Sequence, residues 1–142
     1  MTTSPPSTPV TEIPPADSAS AQTHFSGAFC YETDCWDVHA SLSSGQADFV
    51  LLDARSPELY QAGHIAGALS VPHRKIVECY MAKWPKETVF VVYCAGPHCN
   101  GAHRAAARLA GLNRPVKLMI GGITGWLDEG FPLVRGETPE GS

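Results

Sequence analysis

Apolar runs typical of strands alternate with helix-like segments between about residues 33 and 133. Residues 49–52 form a continuous apolar run ending at Asp53, which is typical of a strand buried on both faces. The most strand-like run is 88–93, and shorter strands are predicted at 68–71 and 116–120. This alternation predicts an α/β fold: an open, mostly parallel sheet with helices on both faces.

Capping residues mark the helices between these strands. Thr33 or Asp34 can cap a helix that continues to about residue 43 and turns Trp36, Ala40 and Val38 inward. Ser56 with Pro57 begins a short helix. Helices are also predicted after the 68–71 strand and after the last strand. The clearest apolar face belongs to a helix closed by Gly111, and it consists of Ala102, Ala105, Ala106, Leu109 and Ala110.

The two ends of the chain differ from this central region. Residues 1–27 are rich in Ser, Thr, Pro and Ala and hold few large apolar groups, so we predict a disordered tail. Residues 28–135 form the predicted domain, and residues 136–142 a flexible C-terminus.

Charge and cysteine content indicate which partners and which cell compartment to expect. The net charge of -4 gives no argument for binding nucleic acid or an anionic membrane, and no apolar run approaches the roughly 20 residues of a membrane span. The N-terminus has no secretory pattern. Five cysteines cannot all pair within one chain. We therefore expect a cytoplasmic protein with mostly free thiols.

Cys94 is the candidate nucleophile, because it ends the strongest strand and opens a loop that runs into the alanine-rich helix. A thiol at such a position faces free backbone N–H groups and the positive end of a helix dipole, and both favour the thiolate. A packed, inert thiol is the alternative. The residues expected to form the binding loop are Ala95, Gly96, Pro97, His98, Cys99, Asn100 and Gly101.

Three segments together resemble the single-domain rhodanese-like (sulfurtransferase) family. They are residues 52–68, the strand and helix around Cys94, and the Gly-Gly-Ile-Thr-Gly-Trp turn at 121–126. The resemblance implies a rhodanese fold and transfer of a sulfane sulfur through a Cys94 persulfide. It implies thiosulfate or a persulfide as donor and cyanide, a thiol or a protein as acceptor, with no metal and no cofactor.

The loop departs from the family pattern. Ala105 and Ala106 lie eleven and twelve positions after Cys94, so the loop is about two residues longer than usual. Cys99 stands where many members have Arg or a hydroxyl residue, and Pro97 removes one amide donor. Cys99 can simply line the loop, or it can act as a resolving or relay thiol. A third alternative makes Cys99 the nucleophile.

Other polar residues have supporting or surface roles. Asp53 at a strand end can brace the neighbouring loop, Arg55 can pair with Glu58, and Arg104 can help to bind thiosulfate. His98 and His103 complete a Cys-x3-His-Cys-x3-His spacing, but structural zinc sites usually spread their ligand pairs wider, so no metal is predicted.

Two other functions remain open at this point. A cysteine phosphatase or arsenate reductase would suit the long loop, but it normally needs an Arg within that loop, and residues 94–101 contain none. A non-catalytic module that binds a partner or senses redox state is the second alternative.

Overall fold

The computed structural model describes residues 7–141, and in that range the chain forms a five-stranded sheet with six α-helices. A short 3-10 turn at His73–Lys75 follows the third strand. The strands are β1 (Glu32–Thr33), β2 (Val50–Asp53), β3 (Leu69–Ser70), β4 (Phe90–Tyr93) and β5 (Val116–Met119). The helices are α1 (Ser18–Tyr31), α2 (Cys35–Ser43), α3 (Pro57–Ala62), α4 (Glu78–Met81), α5 (Gly101–Gly111) and α6 (Gly122–Asp128).

Helix α1 corrects the prediction of a disordered tail over residues 18–27. Asp17 precedes the helix, and its carboxylate accepts hydrogen bonds from the backbone N–H of Ser20 at 3.1 Å and from its hydroxyl at 2.8 Å. These bonds provide the N-terminal cap that a helix start needs. No α1 residue is buried, so α1 contributes no side chain to a core. The predicted tail also includes residues 1–6, which lie outside the described range.

The described residues divide into two compact units between Cys30 and Tyr31, and the second unit contains the sheet. All strand pairs are parallel, in the order β1-β5-β4-β2-β3. The connection after β2 leads to one edge of the sheet, whereas the connection after β4 leads towards the other. The carboxyl ends of β2 and β4 are therefore a topological switch point, where open α/β sheets bind their ligands.

Both faces of the sheet are covered by helices, which is the predicted architecture. Because side chains alternate along a strand, Leu52 and Val92 pack with α5 on one face, and Leu51 and Val91 pack on the other face. The second face is covered by Val38 of α2, Tyr60 of α3 and Trp126 of α6. The expected orientation of α2 is wrong for Trp36, which is 64 % exposed, and for Ala40, which is also exposed. Val38 is buried as expected, together with Cys35. None of the helices within residues 7–141 is long and apolar enough to cross a membrane.

The C-terminal segment is hydrogen-bonded to the domain, which differs from the flexible end predicted from residue 136. Gly136 donates its backbone N–H to the carbonyl of Gln61, and Gly67 donates to Pro139, both at 2.9 Å. The ring of His64 is fully buried, with Nδ1 2.8 Å from the carbonyl oxygen of Tyr60 and Nε2 3.0 Å from that of Pro139. The Nε2 contact with Pro139 and the two backbone hydrogen bonds hold the segment against the domain. Ser142 lies outside the described range.

We predict that His64→Ala lowers the free energy of unfolding by roughly 2 to 4 kcal/mol, because it leaves a cavity and removes the ring's contact with Pro139. Urea denaturation measures this change, and His24→Ala at an exposed position should shift stability by less than about 0.5 kcal/mol. Equal stability of both variants would contradict the role given to His64.

Candidate functional site

Cys94 lies at the switch point of the sheet, directly after β4. Cys94 is 4 % exposed. It belongs to the hydrophobic core that includes Ala54, which follows β2, and Ala102 of α5. The backbone N–H of Ala54 donates to the carbonyl of Tyr93 at 2.9 Å, which holds the two strand ends together. The predicted position of Cys94 between a strand and a helix is present in the structure.

The Cys94 sulfur is bonded to the sulfur of Cys99. The five-residue separation is closed by a turn in which the backbone N–H of Cys99 donates to the carbonyl of Gly96 at 3.1 Å. This turn brings the two Cα atoms to 6.4 Å, within the range that a disulfide spans. The structure thus brings together the two thiols whose relation the sequence left open.

The first turn of α6 fixes the start of the loop. The backbone N–H of Ile123 donates to the carbonyl of Cys94 at 3.0 Å, and that of Thr124 donates to Ala95 at 2.9 Å. The Thr124 hydroxyl donates to the same Ala95 oxygen at 3.1 Å. Gly122 permits this approach, because its φ is +59° and an added Cβ would lie 2.5 Å from the Cys94 carbonyl oxygen.

Cys35 packs behind this turn and is separate from the disulfide. Its sulfur lies 3.6 Å from the carbonyl oxygens of Ile120 and Gly122, and a Cβ added to Gly125 would lie 3.3 Å from that sulfur. Burial, followed by the negative charges of Asp34 and Glu129, raises the pKa of the Cys35 thiol to about 11. This thiol is therefore protonated near neutral pH and supports the turn by packing.

The N-terminus of α5 points at the two sulfurs. Gly101 donates its backbone N–H to the Cys99 sulfur at 3.4 Å. It also leaves space that a side chain would fill, because an added Cβ would lie 3.0 Å from the Cys94 sulfur and 3.5 Å from that of Cys99. The side chain of Asn100, at the N-cap position, makes no capping hydrogen bond. The helix start is therefore open to negative charge on sulfur.

A small cavity opens beside the disulfide. Its volume is about 160 Å³, and the start of α5 and the end of β5 form its walls. Within residues 7–141, the backbone N–H groups of Gly96, His98 and Asn100 have no protein acceptor, and of these three residues Gly96 lines the cavity. They can donate to an anion or to water. The cavity is lined by Cys94, Gly96, Pro97, Cys99, Ala102, His103, Leu118, Met119, Ile120, Gly121 and Gly122.

The expected pairing of Arg55 with Glu58 is wrong. The guanidinium of Arg55 binds the fully buried carboxylate of Asp53, with Nη2 2.7 Å from Oδ2, and Nη2 also donates to the carbonyl of Gly63. The pair therefore braces the loop after β2, and Asp53 has a supporting position there. Arg104 is exposed, and its Nε donates to Oδ1 of Asn100 at 3.2 Å.

The histidines near the loop do not form a metal centre with its cysteines. His98 and His103 are exposed. No group of three or more His, Cys, Asp or Glu side chains in the described residues is arranged to hold a metal ion.

Two residues that support the site, Thr124 and Cys35, were missed by sequence reasoning. The Gly-Gly turn is a recognisable motif in the sequence. The carbonyl oxygens that accept from the N–H groups after it depend on how α6 packs against the loop after β4. Cys35 showed no partner spacing in the sequence. It packs against Ile120 and Gly122, which follow it by 85 and 87 positions in the sequence, so this contact arises only in the folded chain.

Comparison with known proteins identifies a family model and several relatives that resemble this chain. A family model described as Rhodanese-like domain matches residues 37–129. Among curated proteins, the HTH-type transcriptional regulator Rv0324 of Mycobacterium tuberculosis is 32 % identical over 96 residues. That alignment covers 63 % of this chain and 42 % of the regulator, so the chain spans less than half the length of this relative.

Solved structures extend the match to the fold. The BH2092 protein from Bacillus halodurans is 38 % identical, with a TM-score of 0.79 and coverage of 84 % of this chain and 86 % of its own. A thiosulfate sulfurtransferase from Pseudomonas aeruginosa is 30 % identical with a TM-score of 0.62, over 84 % of this chain and 22 % of its own.

We predict that Gly122→Ala destabilises the protein by roughly 2 to 4 kcal/mol, because the left-handed backbone and the short approach to the Cys94 carbonyl both oppose a Cβ. Gly111→Ala is the matched control, since an added Cβ there has no neighbour within 4 Å. It should change stability by less than about 1 kcal/mol in urea denaturation. Equal losses in the two variants would contradict the role of the Gly122 turn.

We also predict that Cys35 resists alkylation in the native protein near neutral pH, whereas exposed Cys79 reacts, as measured by peptide mass spectrometry. Because the folded-state pKa is raised above the ordinary value of 9.0, the protonated thiol favours folding below about pH 9, and this contribution is lost as the pH rises to about 11. As the pH rises from about 9 to about 11, the stability of Cys35→Ala should therefore fall less than that of the wild type. Rapid native alkylation of Cys35 would overturn this assignment.

Proposed function

The chain belongs to the rhodanese-like domain family, and we propose that it is a sulfurtransferase that carries a sulfane sulfur as a persulfide on Cys94. The observation that carries this proposal is the position of Cys94 at the switch point, between the end of β4 and the open N-terminus of α5. A cysteine in such a place can act as a nucleophile and hold the resulting anion.

In the first step the Cys94 thiolate attacks the outer sulfur of thiosulfate. The Cys94 sulfur forms a bond to that atom, the bond between the two sulfurs of thiosulfate breaks, and sulfite leaves with the electron pair. The free backbone N–H groups of Gly96, His98 and Asn100 are suitable donors for the anionic donor and for sulfite. A small-molecule persulfide would react in the same way, with a thiolate as the leaving group.

In the second step a thiophilic acceptor takes the sulfur from the persulfide. Cyanide or a thiolate attacks the outer sulfur, and the Cys94 thiolate leaves. A thiol on another protein is an acceptor of the same chemistry. Because Cys94 must be reduced to start each cycle, a reducing compartment such as the cytoplasm is the location we propose.

The remaining residues position the loop for this chemistry. The carbonyls of Cys94 and Ala95 are held by α6, so the sulfur keeps its place while the loop binds donor. The pair of Asp53 and Arg55 rigidifies the adjoining loop after β2. Arg104 lies one turn inside α5, and we propose that it adds positive charge near the donor without contacting the reacting atoms.

We predict that the reduced protein, mixed with thiosulfate in the absence of oxygen, releases sulfite in an amount equal to the protein. Cys94→Ser should lower sulfite release at least about 100-fold, because the nucleophile is lost. Cys79→Ser, which removes an exposed thiol on α4, should behave like the wild type. Sulfite is the suitable readout because it does not depend on the later fate of the transferred sulfur.

Two outcomes would contradict the proposal. Cys94-dependent hydrolysis of p-nitrophenyl phosphate without sulfite release would favour the phosphatase alternative. An absence of both reactions, with thiosulfate and glutathione persulfide each tried as sulfur donor, would favour a non-catalytic module.

A further inference from the structure

The two sulfurs at this site are close enough to react with each other, and a simple carrier of persulfide sulfur needs only one. Cys94 and Cys99 are bonded in the structure, whereas Cys30, Cys35 and Cys79 are free. We propose that Cys99 is a second reacting thiol, which resolves the Cys94 persulfide and releases the transferred sulfur as sulfide. This inference rests on the proposed function and adds a reductive product to it.

The chemical step balances without a further reactant. The Cys99 thiolate attacks the Cys94 sulfur, the bond from that sulfur to the outer sulfur breaks, and the outer sulfur leaves as HS⁻ after taking up one proton. The two cysteine thiolates lose two electrons and become a disulfide, while the zero-valent outer sulfur gains those electrons. An external dithiol then reduces the disulfide and returns both thiols.

The loop is built so that this attack is intramolecular. The hydrogen bond from the Cys99 N–H to the Gly96 carbonyl closes the turn, and the Cα separation of 6.4 Å lets the sulfurs meet without movement of β4 or α5. Gly101 is needed beside the pair because a Cβ at that position would lie 3.0 Å from the Cys94 sulfur. A reaction held in this geometry has a high effective concentration of the attacking thiol.

The environment of Cys99 suits an attacking thiolate. Its sulfur accepts the Gly101 N–H at 3.4 Å, at the positive end of α5, and this contact stabilises negative charge on the sulfur. Cys99 is also half-buried, whereas Cys94 is 4 % exposed. An external dithiol therefore reaches the Cys99 sulfur first, and Cys94 leaves as the thiolate that begins the next cycle.

Cys99 adds a group to the loop that can form a bond to the Cys94 sulfur. An Arg at this position would add positive charge for an anion, and a hydroxyl would add a hydrogen-bond donor, but neither can form such a bond. The second thiol therefore suits the site to reduction of sulfane sulfur.

The test is a single turnover with thiosulfate, without oxygen and without added thiol. It uses protein carrying Cys30→Ser and Cys79→Ser, so that no exposed cysteine outside the pair can react. We expect sulfite and sulfide in equal amounts, each matching the protein, and a Cys94–Cys99 disulfide as the protein product. The first-order rate constant for sulfide release should not change with protein concentration, because the attack is intramolecular.

Adding Cys99→Ser to this protein separates the two steps. We expect the amount of sulfide released per sulfite to fall at least about tenfold, because the resolving thiol is lost, and the sulfur to stay on Cys94 as a stable mass increase. The same sulfide release in both proteins would overturn the inference. In the parent protein, which retains Cys99, a stable transfer of the sulfur onto Cys99, located by peptide mass spectrometry, would also overturn it.

The outcomes distinguish this inference from the proposed function. If the protein that retains Cys99 releases sulfite but no sulfide, only the role proposed for Cys99 is contradicted. Cys94 then still acts as a persulfide carrier. An absence of sulfite contradicts sulfur transfer itself, and with it the reductive step. Reduction of the starting protein is verified by counting its thiols, so that a residual disulfide cannot imitate either result.

Discussion

The position of the Cys94 sulfur depends on hydrogen bonds between two segments that are distant in sequence. The first amides of α6 donate to the carbonyls of Cys94 and Ala95, and these bonds are possible because Gly122 brings its backbone within contact distance of the loop. The β4 strand alone would direct the chain only as far as Tyr93. Beyond that residue, the helix start of α6 decides the path of the loop and so the direction in which the cysteine side chain lies.

A second helix start acts on the same loop from the other side. Helix α5 begins at Gly101, and its N-terminal N–H contacts the Cys99 sulfur, while the absence of a side chain at Gly101 leaves space for both sulfurs. One helix therefore holds the backbone of the loop, and the other faces its sulfur atoms.

Several elements predicted from a run of apolar residues, a helix cap or a helical face are confirmed by the structure. The apolar runs gave β2 and β4, the Ser56 cap gave the start of α3, and the alanine face gave α5, since each depends on neighbours within a few turns. Arg55 was assigned the wrong partner because Glu58 is near in the helix, yet the buried carboxylate of Asp53 had the greater need for a counter-charge. Helix α1 was missed because its cap is local but its composition resembles a disordered tail.

By itself, the sequence determined the α/β class, the strand that carries Cys94 and the presence of a second thiol five positions later. These features follow from periodicity and spacing, which are properties of the chain. Only the tertiary structure decided that β2 and β4 are neighbours, that α6 fixes the loop and that the two sulfurs are bonded. Such relations depend on which distant segments share a sheet edge, and the sequence alone does not record that arrangement.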